Sequence, residues 1–284
     1  MTIKQLGDIR APLFLFGGPY GNLEATRAAL DEAARLGIPP ERTLCTGDIT
    51  AYCGNPGETA ALVKASGIHV IQGNCEENLA ADGEDCGCGY DGDTACAALS
   101  VAWYDFSRRH TPTLSKQWMG VLPMRIEFTL SGRRVHVLHG AADSINRFIF
   151  PSTARADKAA EIATVGADIV IAGHSGLPFT EVIDGRVWHN PGVIGLPAND
   201  GTPRVWYSLI TLHDGAPCFE HRSLAYDHEK AAATMRANGL GAYAETLITG
   251  IYPTLDSLPE TEKAQTGKPL REQALSLSQI LERT

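Results

Sequence analysis

Four side chains with available lone pairs follow short apolar runs that end beside a glycine. They are Asp48 in Thr46-Gly47-Asp48, Asn74 in Gly73-Asn74, His139 in His139-Gly140 and His174 in Gly173-His174. A carboxylate oxygen, an amide oxygen and two imidazoles make a mixed oxygen and nitrogen set suited to a divalent transition metal such as Mn, Zn or Fe. The glycines let the backbone turn sharply and approach an ion closely. Taken singly, a Gly-Asp after a strand reads as a turn or a helix cap, and a lone strand histidine as a hydrogen-bonded core residue. Four such endings in one chain read as a metal site. The seven cysteines are an odd number, so they cannot all pair, and in a reducing compartment they are expected as thiols. Cys53, Cys86, Cys88 and Cys96 lie close to these motifs and read either as thiolate ligands or as small core residues. A single C-x-C pair is a weak zinc signature. Cys45 and Cys218, inside apolar runs, read as packing.

The apolar runs at 12–16, 43–46, 68–72, 135–138 and 168–172 are short and rich in Val, Ile, Leu and Phe, as buried strands are. Asn22 can cap a helix reaching Arg35, and Asn55-Pro56-Gly57-Glu58 resembles a capping box that opens a helix to Ser66. Strands alternating with helices indicate an α/β layer fold. Later, 126–130 with 134–138 and 182–183 with 186–189 read as hairpins around Ser131-Gly132 and Asp184-Gly185. Hairpins call for mixed sheets rather than one parallel sheet. Runs at 205–212 and 218–222 close the pattern, helices are expected over 226–238 and 242–249, and Gly239 suits a C-cap. Residues 82–94 read as a loop, 253–269 as polar and Pro-punctuated, and 270–281 as a peripheral amphipathic helix. In α/β sheets, ligands gather beyond the carboxyl ends of strands, where Asp48, Asn74, His139 and His174 all fall. The economical division is one domain over 1–250 with a C-terminal helical extension over 251–284.

The 284 residues carry Lys+Arg 24 against Asp+Glu 33, a formal net charge of −9. That balance argues against nucleic acid or an anionic membrane as partner. A hydrophobic share of 44% is that of a globular chain. No run reaches the roughly 20 apolar residues of a membrane span. Residues 1–10 lack the apolar stretch of a signal peptide, so a cytoplasmic location is expected. No G-x-S-x-G or phosphate-cradling G-x-x-x-x-G-K pattern is present, and the glycines at 17–21 lack dinucleotide-binding spacing.

Thr46-Gly47-Asp48 with Cys53-Gly54-Asn55-Pro56-Gly57-Glu58, then Gly73-Asn74-Cys75-Glu76, Leu138-His139-Gly140, Gly173-His174-Ser175-Gly176 and His189-Asn190-Pro191-Gly192 resemble, in order and spacing, the motifs of the calcineurin-like metallophosphoesterases. The resemblance is greatest to their small bacterial phosphodiesterase-like branch and spans residues 13–211. It implies a β-sandwich of mixed sheets flanked by helices. It implies two adjacent ions bridged by Asp48, one of them held also by Asn74, His139 and His174. The other ion of that family takes an Asp and a His from an N-terminal D-x-H-G-N motif and the second His of G-H-x-H. Here Gly18, Tyr20 and Gly176 stand at those positions, and none is the expected ligand. Cys75 stands where a His is frequent, and Glu76 where an Asp is common.

The resemblance therefore implies a metal-dependent hydrolase of a small phosphate mono- or diester with a remodelled centre of one or two ions. Either a single ion suffices, or Tyr20 or the cysteine-rich loop supplies missing ligands. The alternative is a non-catalytic member that binds a ligand or a protein partner. Tyr20, Asn22 and Arg147 are the candidate substrate-binding residues, with a surface ion pair the competing reading of Arg147. His189, before the Asn-Pro-Gly turn, falls near the site. A homo-oligomer is compatible with these features.

Overall fold

The three two-residue turns of the later half have the chemistry of tight hairpins. Ser131-Gly132, Asp184-Gly185 and Asp214-Gly215 all adopt positive φ, which matches the turn twist to that of the strands they join. A computed structural model describes residues 2–89 and 94–278. In chain order its elements are β1 (Ile3–Asp8), β2 (Leu13–Phe16), α1 (Leu23–Arg35), β3 (Thr43–Cys45), α2 (Pro56–Ser66), β4 (His69–Val70), α3 (Asn74–Ala80), α4 (Ala95–His110) and α5 (Thr113–Met119). Then come β5 (Arg125–Leu130), β6 (Arg133–Leu138), α6 (Arg155–Val165), β7 (Ile169–Ala172), β8 (Phe179–Ile183), β9 (Arg186–Asn190), β10 (Val205–His213) and β11 (Ala216–Leu224). The chain finishes with α7 (His228–Ala237), α8 (Gly241–Thr249), the single turn α9 (Glu260–Lys263) and β12 (Gln273–Ser276).

Two six-stranded mixed sheets form, in the orders β1-β5-β6-β7-β9-β8 and β12-β11-β10-β2-β3-β4. Leu13, Leu15, Leu44, Ile71, Ile210 and Phe219 of the second sheet pack against Ile126, Val135, Val137, Ile169, Ile171 and Val187 of the first. That layer makes the pair a sandwich. The outer face of the second sheet (Phe14, Phe16, Cys45) is covered by α1, α2, α4, α5, α7 and α8. The outer face of the first is covered by α6 through Ile162. Strands β2, β3 and β4 run parallel, as do β6 and β7. Their carboxyl ends therefore reach one rim, and this places the site.

Local expectations and structure differ at named places. Asn22 caps α1 as expected, its side chain accepting from the Ala25 N–H at 3.1 Å. Asn55 stands at the N-cap of α2 but makes no side-chain cap bond; Pro56 at the first helical position starts the helix instead. Asn238 caps α7, and Gly239 follows with φ 78°. Of the helix expected over 270–281, residues 273–276 are instead a strand, because β12 fills the open edge of β11 with Leu275 opposite Phe219, and Leu277 and Ser278 after it are helical. Residues 279–281 of that expectation lie outside the described residues, as do 90–93 of the expected loop. Strand β1, which pairs in parallel with β5, and helices α4 and α5 carry no strong pattern in the sequence.

A polar network lies buried where β8, β9, β10 and β11 meet. His189 Nδ1 is 2.8 Å from Thr180 Oγ1 and its Nε2 2.7 Å from Ser208 Oγ, while His221 Nε2 is 2.9 Å from the same Thr180 oxygen. Burial pushes His221 down to about 4, and burial together with His221 holds His189 well below the usual imidazole range. Both rings are neutral in the folded chain and take up protons once it unfolds in acid. Their contribution to stability is complete above pH 6.5 and is lost as pH falls toward 4. At ~1.4 kcal/mol per pKa unit, His221 alone accounts for about 3 kcal/mol. Urea unfolding of the native chain at pH 7.5 and 4.5, beside His221→Gln, should show a pH-dependent loss smaller in the variant by about that amount.

Candidate metal centre

The Thr46-Gly47-Asp48 turn leaves β3, and Gly73-Asn74 leaves β4 and opens α3. From the opposite sheet, His139 follows β6 and Gly173-His174 follows β7. Each sheet thus delivers two of the four side chains to the shared rim. Asp48 and His174 both adopt left-handed backbone, φ 57° and 59°, a conformation seldom taken by residues other than glycine. The left-handed turns aim both side chains back across the rim.

All four are buried: Asp48 5% exposed, Asn74 0%, His139 3%, His174 8%. His139 Nε2 lies 3.0 Å from Asn74 Oδ1, 3.2 Å from His174 Nδ1 and 3.2 Å from Asp48 Oδ2. His139 Nδ1 is 2.6 Å from the Thr46 carbonyl. It must donate there, which fixes the tautomer and leaves Nε2 facing the cluster. Asn74 Nδ2 donates to the Cys86 carbonyl at 2.8 Å, so its oxygen, too, is turned inward. With His139 neutral, its Nε2 and the oxygens of Asp48 and Asn74 turn lone pairs to one point, and His174 Nδ1 joins them in its Nε2–H tautomer. Such a cluster suits a cation, and the Asp, His, His atoms lie within 4.8 Å of one another. Burial pushes His174 down to about 3, which keeps it a neutral ligand. Burial pushes Asp48 up, but His139 and His174 outweigh it and hold the carboxyl below its ordinary range.

Glu76 organises the centre without pointing into it. Its carboxylate accepts from the backbone N–H groups of Asp48 at 2.7 Å, Ile49 at 2.7 Å and Gly73 at 2.9 Å. One side chain thereby ties the two ligand loops of the second sheet together. Burial, then the Asp48 charge, raises its carboxyl to about 7. The loops touch so closely that a Cβ at Gly73 would sit 2.4 Å from Asp48 Oδ1, and one at Gly173 2.4 Å from Thr46 Oγ1. On the first sheet, Asn190 Nδ2 donates to the Gly173 carbonyl and to Ser175 Oγ, each at 3.0 Å, holding both sides of His174. The Glu three residues after Gly73 and the Asn190-Pro191-Gly192 turn are the sequence signals for these two positioning residues.

The remaining candidates fall at distinct places. Tyr20 is buried (5% exposed) and also left-handed, φ 53°. Its ring covers Gly18, where a Cβ would lie 2.4 Å from ring carbon Cζ, and its hydroxyl lies 3.8 Å from the Cβ position of Gly176. Tyr20 thus occupies the space into which a side chain at 18 would project, while a Cβ at 176 would be in ordinary contact with its hydroxyl. Asn22 is fully engaged as the α1 cap and as donor to the Gly195 carbonyl and Tyr226 hydroxyl. Arg147 turns toward α6 and pairs with Glu161 at 2.7 Å. His189 belongs to the buried network between the sheets, not to this cluster.

Cys86 and Cys88, expected as thiols, form a disulfide behind Asn74, with Cys88 Sγ 3.4 Å from Asn74 Nδ2. They back the ligand rather than join it. Cys53 donates to the Gly195 carbonyl. Cys96 is buried and bonded to Ser257. Burial, with Asp48 and Glu76 nearby, raises the Cys75 thiol well above its ordinary range, so it stays neutral.

Comparison with known proteins places these features. A profile described as the calcineurin-like phosphoesterase superfamily domain matches residues 19–215. An uncharacterised protein of Methanocaldococcus jannaschii is 24% identical over 260 residues, 85% of this chain and 99% of that one. A crystal structure of a metallophosphoesterase from Sphaerobacter thermophilus superposes with TM-score 0.67 at 20% identity, covering 86% of this chain and 100% of the other. A hypothetical protein of Pyrococcus horikoshii superposes with TM-score 0.67 at 16% identity, covering 86% and 100%. At these identities the two structures establish likeness of fold.

Replacing Glu76 with alanine leaves three buried N–H groups without an acceptor, at ~1–3 kcal/mol each. Glu76→Ala should lose at least about 3 kcal/mol in chemical unfolding and bind Mn more weakly by calorimetry. Unchanged stability and Mn affinity would remove Glu76 from its organising role.

Proposed function

Because the chain belongs to the calcineurin-like phosphoesterase superfamily, we propose that it hydrolyses a small phosphate mono- or diester with one divalent transition-metal ion held by Asp48, Asn74, His139 and His174. The observation that carries this reading is the convergence of Asp48 Oδ2, Asn74 Oδ1 and His174 Nδ1 around His139 Nε2, within 3.2 Å. An ion in that cage supplies a Lewis acid for a phosphoryl oxygen and lowers the pKa of water. The chain's own residues supply the rest. The Thr46 carbonyl orients His139, the Cys86 carbonyl orients Asn74, and Glu76 fixes both loops of the second sheet.

The single-ion reading draws on Tyr20. Its ring takes the space where a side chain at 18 would stand, and its hydroxyl lies 3.8 Å from the Cβ position of Gly176. Glycine offers no ligand atom in either place. In our reading the Tyr20 hydroxyl instead contacts a phosphoryl oxygen of the substrate, as one donor in place of a second cation. No helix among the described residues is long and apolar enough to cross a membrane, in keeping with a small dissolved substrate. The same reading puts the catalytic unit at 1–250 and the C-terminal segment at 251–284.

Elemental analysis after Mn loading and dialysis should give one ion per chain, and Asp48→Ala and His174→Ala should lose it. Both variants should lower hydrolysis of a chromogenic phosphodiester at least 100-fold, and chelation should do the same to the native chain. Two ions per chain would overturn the single-ion centre; unchanged hydrolysis in either variant would overturn the ligand assignment. Tyr20→Phe should keep the ion yet lower kcat about tenfold, and an unaltered kcat would exclude the hydroxyl from the reaction.

A further inference from the structure

Asn74 offers an oxygen at one end of its amide and two N–H donors at the other, and only the oxygen serves a cation. What turns the oxygen inward is the segment Cys86-Gly87-Cys88. Asn74 Nδ2 donates to the Cys86 carbonyl at 2.8 Å and lies 3.4 Å from Cys88 Sγ. Both cysteines are 4% exposed, and their sulfurs are bonded to each other. The middle of the segment is pinned separately. Asn146 Nδ2 donates to the Gly87 carbonyl at 2.9 Å, and the Gly87 N–H donates to Asp85 Oδ1 at 2.8 Å. A Cβ on Gly87 would collide with Asn78 Nδ2, which itself donates to the Asn74 carbonyl at 2.9 Å. A disulfide that spans one residue is a poor staple for a fold, because stabilisation through chain entropy grows with the length of the closed loop. Among the described residues, Cys86 and Cys88 line a cleft of about 520 Å³ with Gly89, Asn146, Ala97 and Val101, by which a small thiol reaches them.

Resting on the metal-centre reading above, we infer that Cys86 and Cys88 are a redox switch on that centre: as a disulfide they hold Asn74 as a ligand, and as two thiols they release it. The reductant is a dithiol. One of its sulfurs, as thiolate, attacks Cys86 or Cys88, the S–S bond breaks, and a mixed disulfide forms. Its second sulfur then displaces the protein. Two electrons and two protons end on Cys86 and Cys88, and the reductant leaves as its own disulfide. Two thiol sulfurs cannot stay as close as a bonded pair. With Gly87 pinned, the displacement falls on the two cysteines and on the amide between them. The freed Cys88 thiol lies 3.8 Å from the Cys86 carbonyl and competes with Asn74 for it as a donor. Without that partner the Asn74 amide is free to rotate, and its NH₂ then faces His139 Nε2 in place of the oxygen. The coupling is reciprocal: whatever factor the disulfide adds to metal affinity, the metal adds to the stability of the disulfide.

Full-length protein equilibrated in dithiothreitol redox buffers, then denatured and alkylated, should carry five labels when oxidised and seven when reduced. Circular dichroism should be the same in both states. After desalting under argon, calorimetry should show Mn, a cation that prefers oxygen to thiolate, binding at least tenfold more weakly to the reduced chain. Mn should correspondingly lower the midpoint potential of the pair by about 30 mV for each tenfold. The double variant Cys86→Ser/Cys88→Ser should bind Mn as the reduced chain does and ignore reductant, and Asn74→Ala should be weak in both states. The side-chain amide signal of Asn74 in the metal-free protein, assigned by its loss in Asn74→Ala, should move on reduction. Equal Mn affinity in the two states with an unmoved amide signal would overturn the inference, as would unfolding on reduction or seven labels in every buffer. If Mn bound to neither state while the amide signal moved, the metal-centre reading would fall and the switch on Asn74 would stand.

Discussion

The hydrogen bond from His139 Nδ1 to the Thr46 carbonyl, 2.6 Å long, joins the rims of the two sheets and sets the chemistry of everything around it. It commits one ring nitrogen to the protein and so turns the other toward Asp48, Asn74 and His174. The donor is on the strand end of β6 and the acceptor on that of β3, so the bond exists only when the sandwich is assembled. A buried imidazole with one face tied down and three electron-rich atoms at the other is costly unless positive charge sits among them. The fold has in effect prepared a cation site, and the neighbouring glycines 47, 73 and 173 are what allow the loops to come this close.

Positioning is shared between the sheets in a symmetrical manner. Glu76 secures the loops of Asp48 and Asn74 through three backbone bonds, and Asn190 secures the loop of His174 through two. Neither points into the cluster. Both are buried and hydrogen-bonded, which is how ligand geometry is held against thermal motion. The Asn190-Pro191-Gly192 turn has a further task. Gly17 donates to the Gly192 carbonyl at 2.9 Å and Ile194 to the Gly17 carbonyl at 3.0 Å, which links the sheets again beneath Tyr20.

Tyr20 is the point at which this chain departs from the two-ion plan that its motifs resemble. The substitution is not a single change. Its ring requires the absence of side chains at Gly18 and at Gly195, where a Cβ would meet Tyr20 Cβ at 2.4 Å. Its hydroxyl comes within 3.8 Å of the Cβ position of Gly176. The departures at Gly18 and Tyr20 are therefore one packing solution.

By itself the sequence determined the layered α/β class, the hairpin turns and the four lone-pair side chains that follow the strands, because each is a local matter. A strand ending in glycine, a Ser-Gly or Asp-Gly turn and an Asn cap are set by near neighbours in the chain. The tertiary structure decided what depends on residues far apart. Asn22 offers the same side chain to a helix cap or to a substrate, and Gly195 and Tyr226 settle its bonds. Arg147 meets Glu161 only once α6 has docked, and Cys86 and Cys88 pair behind Asn74 rather than ligating. The stretch over 273–276 has a pattern that a helix or a strand could use, and the open edge of β11 chose the strand. Tyr20 shows the limit most plainly: at its motif position it reads as ligand, substrate contact or packing. Only the space left by two glycines 177 positions apart, Gly18 and Gly195, says where its ring lies.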